Sequence, residues 1–370
     1  MSERRIAISI QNILLITATV LLLLLLWQLS SLLVILMIAV VLAATLAPII
    51  NSAQQLGIPR WLAVLLVYLG LLTILVGVGV LIGPTVAQQI QRLFRRLPDY
   101  LEVLESLIDR LAVRLGISEP VISQIFDTQT LTNWAIRSSQ QLVVRSYGVT
   151  RGFLGGVLSV ILSLFLSGYM LSGAERLIKG IVSLFPKPWD DRLAAQVKPV
   201  SRRMGNYIQG RVLVSGILGI AITIGLKVLG ITEFALGLGV IAGGTNLIPF
   251  FGPVLGAIPA LIVAIAQGGW TFLWVFLLFA IIQNVETYLL DPLLVGSSVR
   301  VHPLYQLLAV VGGAQVLGII GALIVPPWIA GASVLLENLY LQPKRQAEQQ
   351  AAALSPPSRE ETQSTLSMKG

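Results

Sequence analysis

The 370-residue chain is 55% hydrophobic and only 11% charged, with mean hydropathy +0.86, whereas a soluble domain is about a quarter charged. Its net charge of +8 is spread over loops rather than gathered on one soluble face, which argues against a nucleic-acid partner and for anionic lipid headgroups. The absence of cysteine excludes disulfides and thiol chemistry, and a single histidine, His302, removes most histidine-based zinc sites.

The apolar runs are long enough for helices rather than barrel strands, so the fold class is an all-α polytopic membrane protein. The first run passes into the second without a small-residue cleavage site, unlike a signal peptide. Ile10 to Leu29 and Leu32 to Ile50 form a tight hairpin of two spans, ended by Pro48 and the loop to Arg60. Trp61 to Ile82 is the third span, with Trp61 at the interface and Gly83-Pro84 closing it. Residues 1–83 are thus an N-terminal three-helix membrane region.

Residues 84–150 change character, with arginines and acids alternating with leucines. Ile90, Phe94, Leu97, Leu101, Leu104, Ile108, Leu111 and Leu115 recur at spacings of four and three, a heptad-like seam. Pro98 interrupts it, which predicts two helices or a kink. Ser118, followed by Glu119 and Pro120, marks a further helix start. The stretch reads as an amphipathic helical insertion folded onto the membrane body, with a subunit contact as the sharper alternative.

Phe153 to Leu171 is the fourth span. The following loop, residues 172–211, holds Arg176, Lys179, Lys187, Arg192, Lys198, Arg202, Arg203 and Arg211 against Glu175, Asp190 and Asp191. The positive-inside rule makes it cytoplasmic, together with the N-terminus and its Arg4 and Arg5, and leaves the 84–150 insertion extracytoplasmic. It reads as a topology determinant rather than a binding site. Val212 to Leu229 is the fifth span, with Lys227 snorkelling at its end.

The stretch from Val240 to Ile265 is apolar enough for a membrane, yet carries Gly243, Gly244, Gly252 and Gly256 with Pro249, Pro253 and Pro259. Each proline lacks an N–H and clashes with the carbonyl four residues back. In hydrocarbon such a broken backbone survives only when buried in protein or lining a cavity. Thr245 and Asn246 sit at the first break, so this reads as a discontinuous helix facing a pathway. Trp270 to Leu290 follows as another span, and Leu304 to Leu336 is the last apolar segment. Gly312-Gly313 leading to Gly321 echoes Gly243-Gly244 leading to Gly252, with Pro326-Pro327 in the place of Pro259. Two such interruptions point to a transport site between repeats, whereas the plainer alternative is close helix packing through glycine. About eight hydrophobic segments result, two of them broken or re-entrant. Residues 151–341 form a C-terminal membrane region with broken helices, and 342–370 a disordered tail.

Glu286 lies in the last turns of an otherwise uncharged span, beside Gln283 and Asn284, with Asp291 beyond. An intramembrane carboxylate is costly unless it faces a cavity or partner, so it is a candidate proton or cation site. The plainer alternatives are an interfacial Glu reaching water, or one that holds a lysine or arginine. The candidate pathway set is Thr245, Asn246, Pro249, Gly252, Pro253, Gln283, Asn284, Glu286, Asp291, Gly312, Gly313 and Gln315. His302, before Pro303, reads as a loop or capping residue. There is no HExxH, P-loop or dinucleotide fingerprint, so neither an enzyme nor a cofactor or metal is expected.

The run Asn246-Leu247-Ile248-Pro249-Phe250-Phe251-Gly252-Pro253 through Pro259, with Gln283-Asn284-Val285-Glu286, Asp291-Pro292 and His302-Pro303-Leu304, resembles the autoinducer-2 exporter family, the PerM-like permeases. Gly312-Gly313 leading into Gly318, Gly321 and Pro326 completes the resemblance, which extends to about residue 340. It implies a multi-pass inner-membrane permease that forms homo-oligomers, a pentamer being one arrangement. It also implies export of autoinducer-2, or sodium or lithium/proton exchange. Arg211 stands where family members often carry Gln, a departure that puts any polar role carried over to that position in doubt. The leading expectation is a secondary exporter of a small polar solute, coupled to protons or cations through Glu286. The alternatives are a cation/proton antiporter and a non-transporting membrane scaffold.

Overall fold

The computed structural model describes residues 14, 17–21, 24–25, 28–115, 146–295 and 303–354. Among these residues every regular element is a helix. Half of the predicted first span, Ser118, Glu119, Pro120, His302 and the tail beyond residue 354 lie outside them. For Ile108, Leu111 and Leu115 of the seam, only the backbone is described.

The first two complete helices correct the reading of proline as a stop. Helix α1 (Ser30–Gln55) continues through Pro48. The missing proline N–H frees the carbonyl of Ala44. There the later Gly205 approaches so closely that a Cβ would collide with that oxygen. The carbonyl of the next residue, Thr45, accepts a hydrogen bond from Gln209 Nε2 at 2.6 Å. Helix α2 (Arg60–Leu115) likewise runs through both Pro84 and Pro98. Each proline in a helix interior costs about 3 kcal/mol. Packing offsets this beyond Pro84, where Leu93 and Leu101 are buried and Tyr100 is packed against the same body of the protein.

Helix α3 (Ser146–Ser172) turns by 83° at Gly173 into α4 (Ala174–Val182). On α4 the apolar Leu177 and Ile181 are exposed, as are Leu184 and Phe185 just after it, while Arg176 and Lys179 occupy the opposite face. A short amphipathic helix set across the preceding apolar helix has the form of an in-plane interfacial element. Helix α5 (Trp189–Val228) is continuous. The predicted basic loop is therefore mostly helix, made of α4 and the first half of α5. Lysine and arginine are good helix formers, so their density marked exposure rather than irregular backbone.

Both glycine- and proline-broken segments fold back on themselves. Helices α6 (Ala235–Asn246) and α7 (Phe251–Gln267) form the first hairpin. Gly252 lies against the backbone of Thr245 and Asn246, and Gly256 against Ala242, with no room for a Cβ at either. Helix α8 (Thr271–Val285) passes directly into a π-helical turn (Glu286–Val295). Helix α9 (Pro303–Leu336) breaks at Gly318, whose φ of 63° and ψ of −149° are not helical. Across that break Gly313 meets Gly321, and Val325 Cγ2 also reaches the Gly313 position. Eight residues of straight helix would separate Gly313 and Gly321 by about 12 Å, so α9 reverses into a second hairpin. The chain then continues as α10 (Gln342–Leu354), a helical start to the segment expected to be disordered.

Five helical stretches among the described residues have the length and apolarity to cross a membrane, and there are six when the bent α3–α4 pair is taken as one span. One of the five is the stretch from Pro303 on, which the reversal at Gly318 divides. Helix α6 is about 18 Å long at 1.5 Å per residue, short of a hydrocarbon core of about 30 Å. The expected eight segments are therefore not eight full spans. This is a multi-pass α-helical membrane protein with two helical hairpins packed among its spans.

Helix α5 positions the hairpins. Gly239 and Gly243 of α6 face Gly219, Thr223 and Ser215, so the first hairpin runs down α5 from its C-terminal end. From the other end Asn338 Nδ2 donates to Gln196 Oε1 at 2.6 Å, and Gly331 packs on Val200 and Met204. The two hairpins thus approach the middle of α5 in opposite senses, an inverted arrangement of interrupted helices. Gln89 of α2 fixes the first one, its Oε1 accepting the backbone N–H of Gly237 at 2.7 Å in the first turn of α6.

Candidate functional site

At the middle of α5, Arg211 is buried at 6% exposure. Its Nη1 donates to Glu286 Oε1 at 2.9 Å and to Asp291 Oδ1 at 3.4 Å. Asn246 Nδ2, at the end of α6, donates to the same Glu286 oxygen at 3.0 Å. Glu286 and Asn246 are each only 2% exposed.

Three local features bring these groups together. The first is the π turn. Glu286 and Asp291 are five residues apart, which an α-helix would place on different faces, whereas i→i+5 winding stacks them on one. Pro292 supports that winding because it has no N–H to donate to the α-helical acceptor Tyr288. The second is Gly210, where a Cβ would collide with the Leu294 carbonyl, so only glycine lets α5 approach the π turn this closely. The third is the end of α6, where Asn246 is the last helical residue. Beyond it the Phe251 N–H bonds the Pro249 carbonyl at 2.8 Å across Phe250, whose φ of 66° is strained for a residue with a side chain.

The cluster holds one guanidinium and two carboxylates, a formal charge of −1 when all are ionised. Arg211 also sits beside the C-terminus of α6, where the helix dipole favours a cation. One proton or monovalent cation would neutralise the cluster. Deleting one member of a buried ion pair leaves an uncompensated charge, which costs about 3–5 kcal/mol.

Of the residues proposed from sequence, Asn246, Glu286 and Asp291 meet here. Thr245 does not join them: its hydroxyl donates to the Ala242 carbonyl at 3.1 Å and packs against Gly256. Pro249, Gly252 and Pro253 shape the reversal beside the site. Gln283 Nε2 reaches Thr287 Oγ1 at 3.4 Å, and Asn284 Nδ2 donates to the Ala280 carbonyl at 2.7 Å, both outside the cluster. Gly313 forms the crossing of the second hairpin, while Gly312 and Gln315 are exposed near its turn. His302 lies outside the described residues.

In the sequence Arg211 closes a basic stretch and stands where relatives often carry Gln; the structure makes it the centre of the cluster. Its signal was a spacing of four along α5, where Arg203, Tyr207, Arg211 and Ser215 form one file. Tyr207 is buried and its hydroxyl accepts a hydrogen bond from Gln306 Nε2 of the second hairpin at 3.2 Å. Neither Tyr207 nor Gln306 carries a motif that marks it in the sequence.

A multi-pass helical protein with two inverted hairpins, the first of them ending at a buried charge cluster, belongs to the class of membrane permeases. The family profile described as AI-2E family transporter matches residues 16–341, and the chain belongs to that family. It is 28% identical to "Putative transport protein YueF" of Bacillus subtilis over 297 residues, covering 79% of this chain and 80% of that protein. It is 37% identical to "Putative transport protein YrrI" of the same organism over 172 residues, 46% of this chain and 48% of that one. It is also 30% identical to "Putative permease PerM" of Escherichia coli over 146 residues, 39% of this chain and 40% of that protein.

Proposed function

We propose that this permease is a secondary transporter of the cytoplasmic (inner) membrane, not an enzyme. In this reading its N-terminus is cytoplasmic, and it carries a small polar solute outward by alternating access. Autoinducer-2 is the leading substrate, on the family resemblance. Working as a homo-oligomer, it would use the two hairpin tips as the moving parts around a fixed α5. One observation supports the reading above the others: Arg211, Glu286 and Asn246 are buried together where the first hairpin breaks. Such a charged group inside a membrane protein is expensive and marks a pathway or coupling site by default.

Coupling follows from competition for the carboxylates. With Glu286 ionised, its Oε1 holds both Arg211 and Asn246, which ties the hairpin to α5. A proton or small cation on Glu286 weakens both bonds, leaves the Arg211 guanidinium to Asp291 alone and loosens the Asn246 end of the hairpin. Sodium or lithium/proton exchange is the alternative use of the same groups, since the net −1 cluster suits a monovalent cation.

The test is flux in proteoliposomes under an imposed proton gradient, with autoinducer-2, sodium and lithium offered separately. Wild type is compared with Glu286→Gln and Arg211→Gln. Solute flux driven by the gradient and lost in Glu286→Gln supports the exporter. Cation-linked proton movement without solute flux moves the assignment to the antiporter. Well-assembled protein that moves none of the three, or variants that match wild type, would overturn the coupling role and favour a membrane scaffold.

A further inference from the structure

Four buried side-chain atoms lack a hydrogen-bond partner among the described residues: Arg203 Nη1, Arg211 Nε, Ser215 Oγ and Asn246 Oδ1. They are not scattered. Arg203, Arg211 and Ser215 all lie on α5 at spacings of eight and four, and Tyr207 fills the remaining step of the file. A spacing of four keeps successive side chains on one helical face. Asn246 belongs to the same place, since its amide and the Arg211 guanidinium converge on one Glu286 oxygen. Ser215 is flanked by the same hairpin, with Gly243 against its carbonyl.

Buried polar atoms in native proteins are almost always satisfied, by protein groups or by ordered water. Orphans gathered, among the described residues, on α5 and on the α6 end against it point to the place where polar molecules enter. We infer that the Arg203–Tyr207–Arg211–Ser215 face of α5 lines a hydrated passage for water and small hydroxyl-bearing solutes. Its groups offer N–H donors from two guanidiniums, hydroxyls from Tyr207 and Ser215, and one amide acceptor from Asn246. That set suits solutes carrying several hydroxyl or carbonyl groups and gives an apolar solute nothing in exchange for lost hydration. The first hairpin borders the passage at Asn246, and the second borders it through the Gln306–Tyr207 hydrogen bond. The inference rests on the transport reading for its use, but its hydration is measurable without any transported solute.

The chain has no cysteine, so single cysteines report local water directly. Ser215 and Val214 are adjacent and equally hidden, at 4% and 0% exposure. The experiment compares Ser215→Cys with Val214→Cys and Leu218→Cys in proteoliposomes without gradient or solute. Labelling is by methanethiosulfonate ethylsulfonate, a small water-soluble reagent. Ser215→Cys is expected to react at least tenfold faster than both controls, and serine to cysteine is nearly isosteric, so folding is preserved. Equal, slow labelling at all three positions overturns the passage and leaves the coupling role of Glu286 to its own test. Fast labelling of Ser215→Cys in protein that moves none of the solutes tried upholds the passage and counts against transport of those solutes.

Discussion

Arg211 Nη1 and Glu286 Oε1 lie 2.9 Å apart across 75 positions of sequence, with side chains 7% and 3% exposed. The pair depends on features that each weaken ordinary helix: a glycine before the arginine, a π turn under the glutamate and a broken helix supplying Asn246. Unusual winding of this kind is concentrated at functional sites. The coincidence of all three at one carboxylate gives the reading its weight.

Removing the arginine alone should be far worse than removing both charges. Arg211→Ala leaves Glu286 buried and unpaired and is expected to cost about 3–5 kcal/mol of stability. Arg211→Met combined with Glu286→Leu should recover most of that loss while leaving the protein inactive. Tryptophan-fluorescence unfolding in detergent measures the first part and proteoliposome flux the second. An Arg211→Ala protein as stable as wild type would show that the pair is not held buried in the native state.

Each Gly-Gly pair should divide into one intolerant and one tolerant member. A Cβ at Gly243 or Gly313 would press on backbone atoms of Ser215 or Gly321, whereas at Gly244 and Gly312 it meets nothing within 4 Å. Gly243→Ala and Gly313→Ala are expected to lose assembled protein, or at least about 1–3 kcal/mol from overpacking. Gly244→Ala and Gly312→Ala should be neutral or slightly stabilising, since alanine is the better helix former. Size-exclusion yield and melting temperature of the four variants separate these outcomes. Equal losses within a pair would contradict the hairpin geometry.

Phe250 is strained by its positive φ yet half exposed, so its side chain gives little packing in return. Phe250→Gly should therefore keep or raise the stability, by an amount on the order of 1 kcal/mol, read as an unchanged or higher melting temperature. A large loss would mean that the phenyl ring is buried against lipid or a second copy of the protein.

Helix α4 should lie in the membrane interface. Spin labels at Ile181→Cys and Leu184→Cys are expected to sit in the headgroup and upper acyl region, accessible to oxygen. A label at Lys179→Cys should be accessible to aqueous nickel reagent. Labels at Ile181→Cys in bulk water would remove the in-plane assignment.

The sequence by itself determined the solvent and the class of element. Apolar runs of this length have no stable alternative to helix in lipid, and the clustered glycines and prolines of 243–259 and 312–327 marked where helices break. Glu286 and Asn246 were legible because a carboxylate and an amide inside apolar stretches need a reason to be there. Tertiary structure decided the rest. Pro48, Pro84 and Pro98 do not end helices, because the cost of one lost hydrogen bond is outweighed by packing that single-chain periodicity does not contain. Gln283 and Asn284 stay out of the site: Asn284, two residues before Glu286, faces the other side of α8 and bonds the Ala280 carbonyl, while Gln283 bonds Thr287. Arg211 reads as the end of a basic stretch until α5 is seen to run through it, and its partner lies 75 residues on. Local pattern specifies what a residue would cost to bury; only the folded chain supplies the opposite charge that makes the burial affordable.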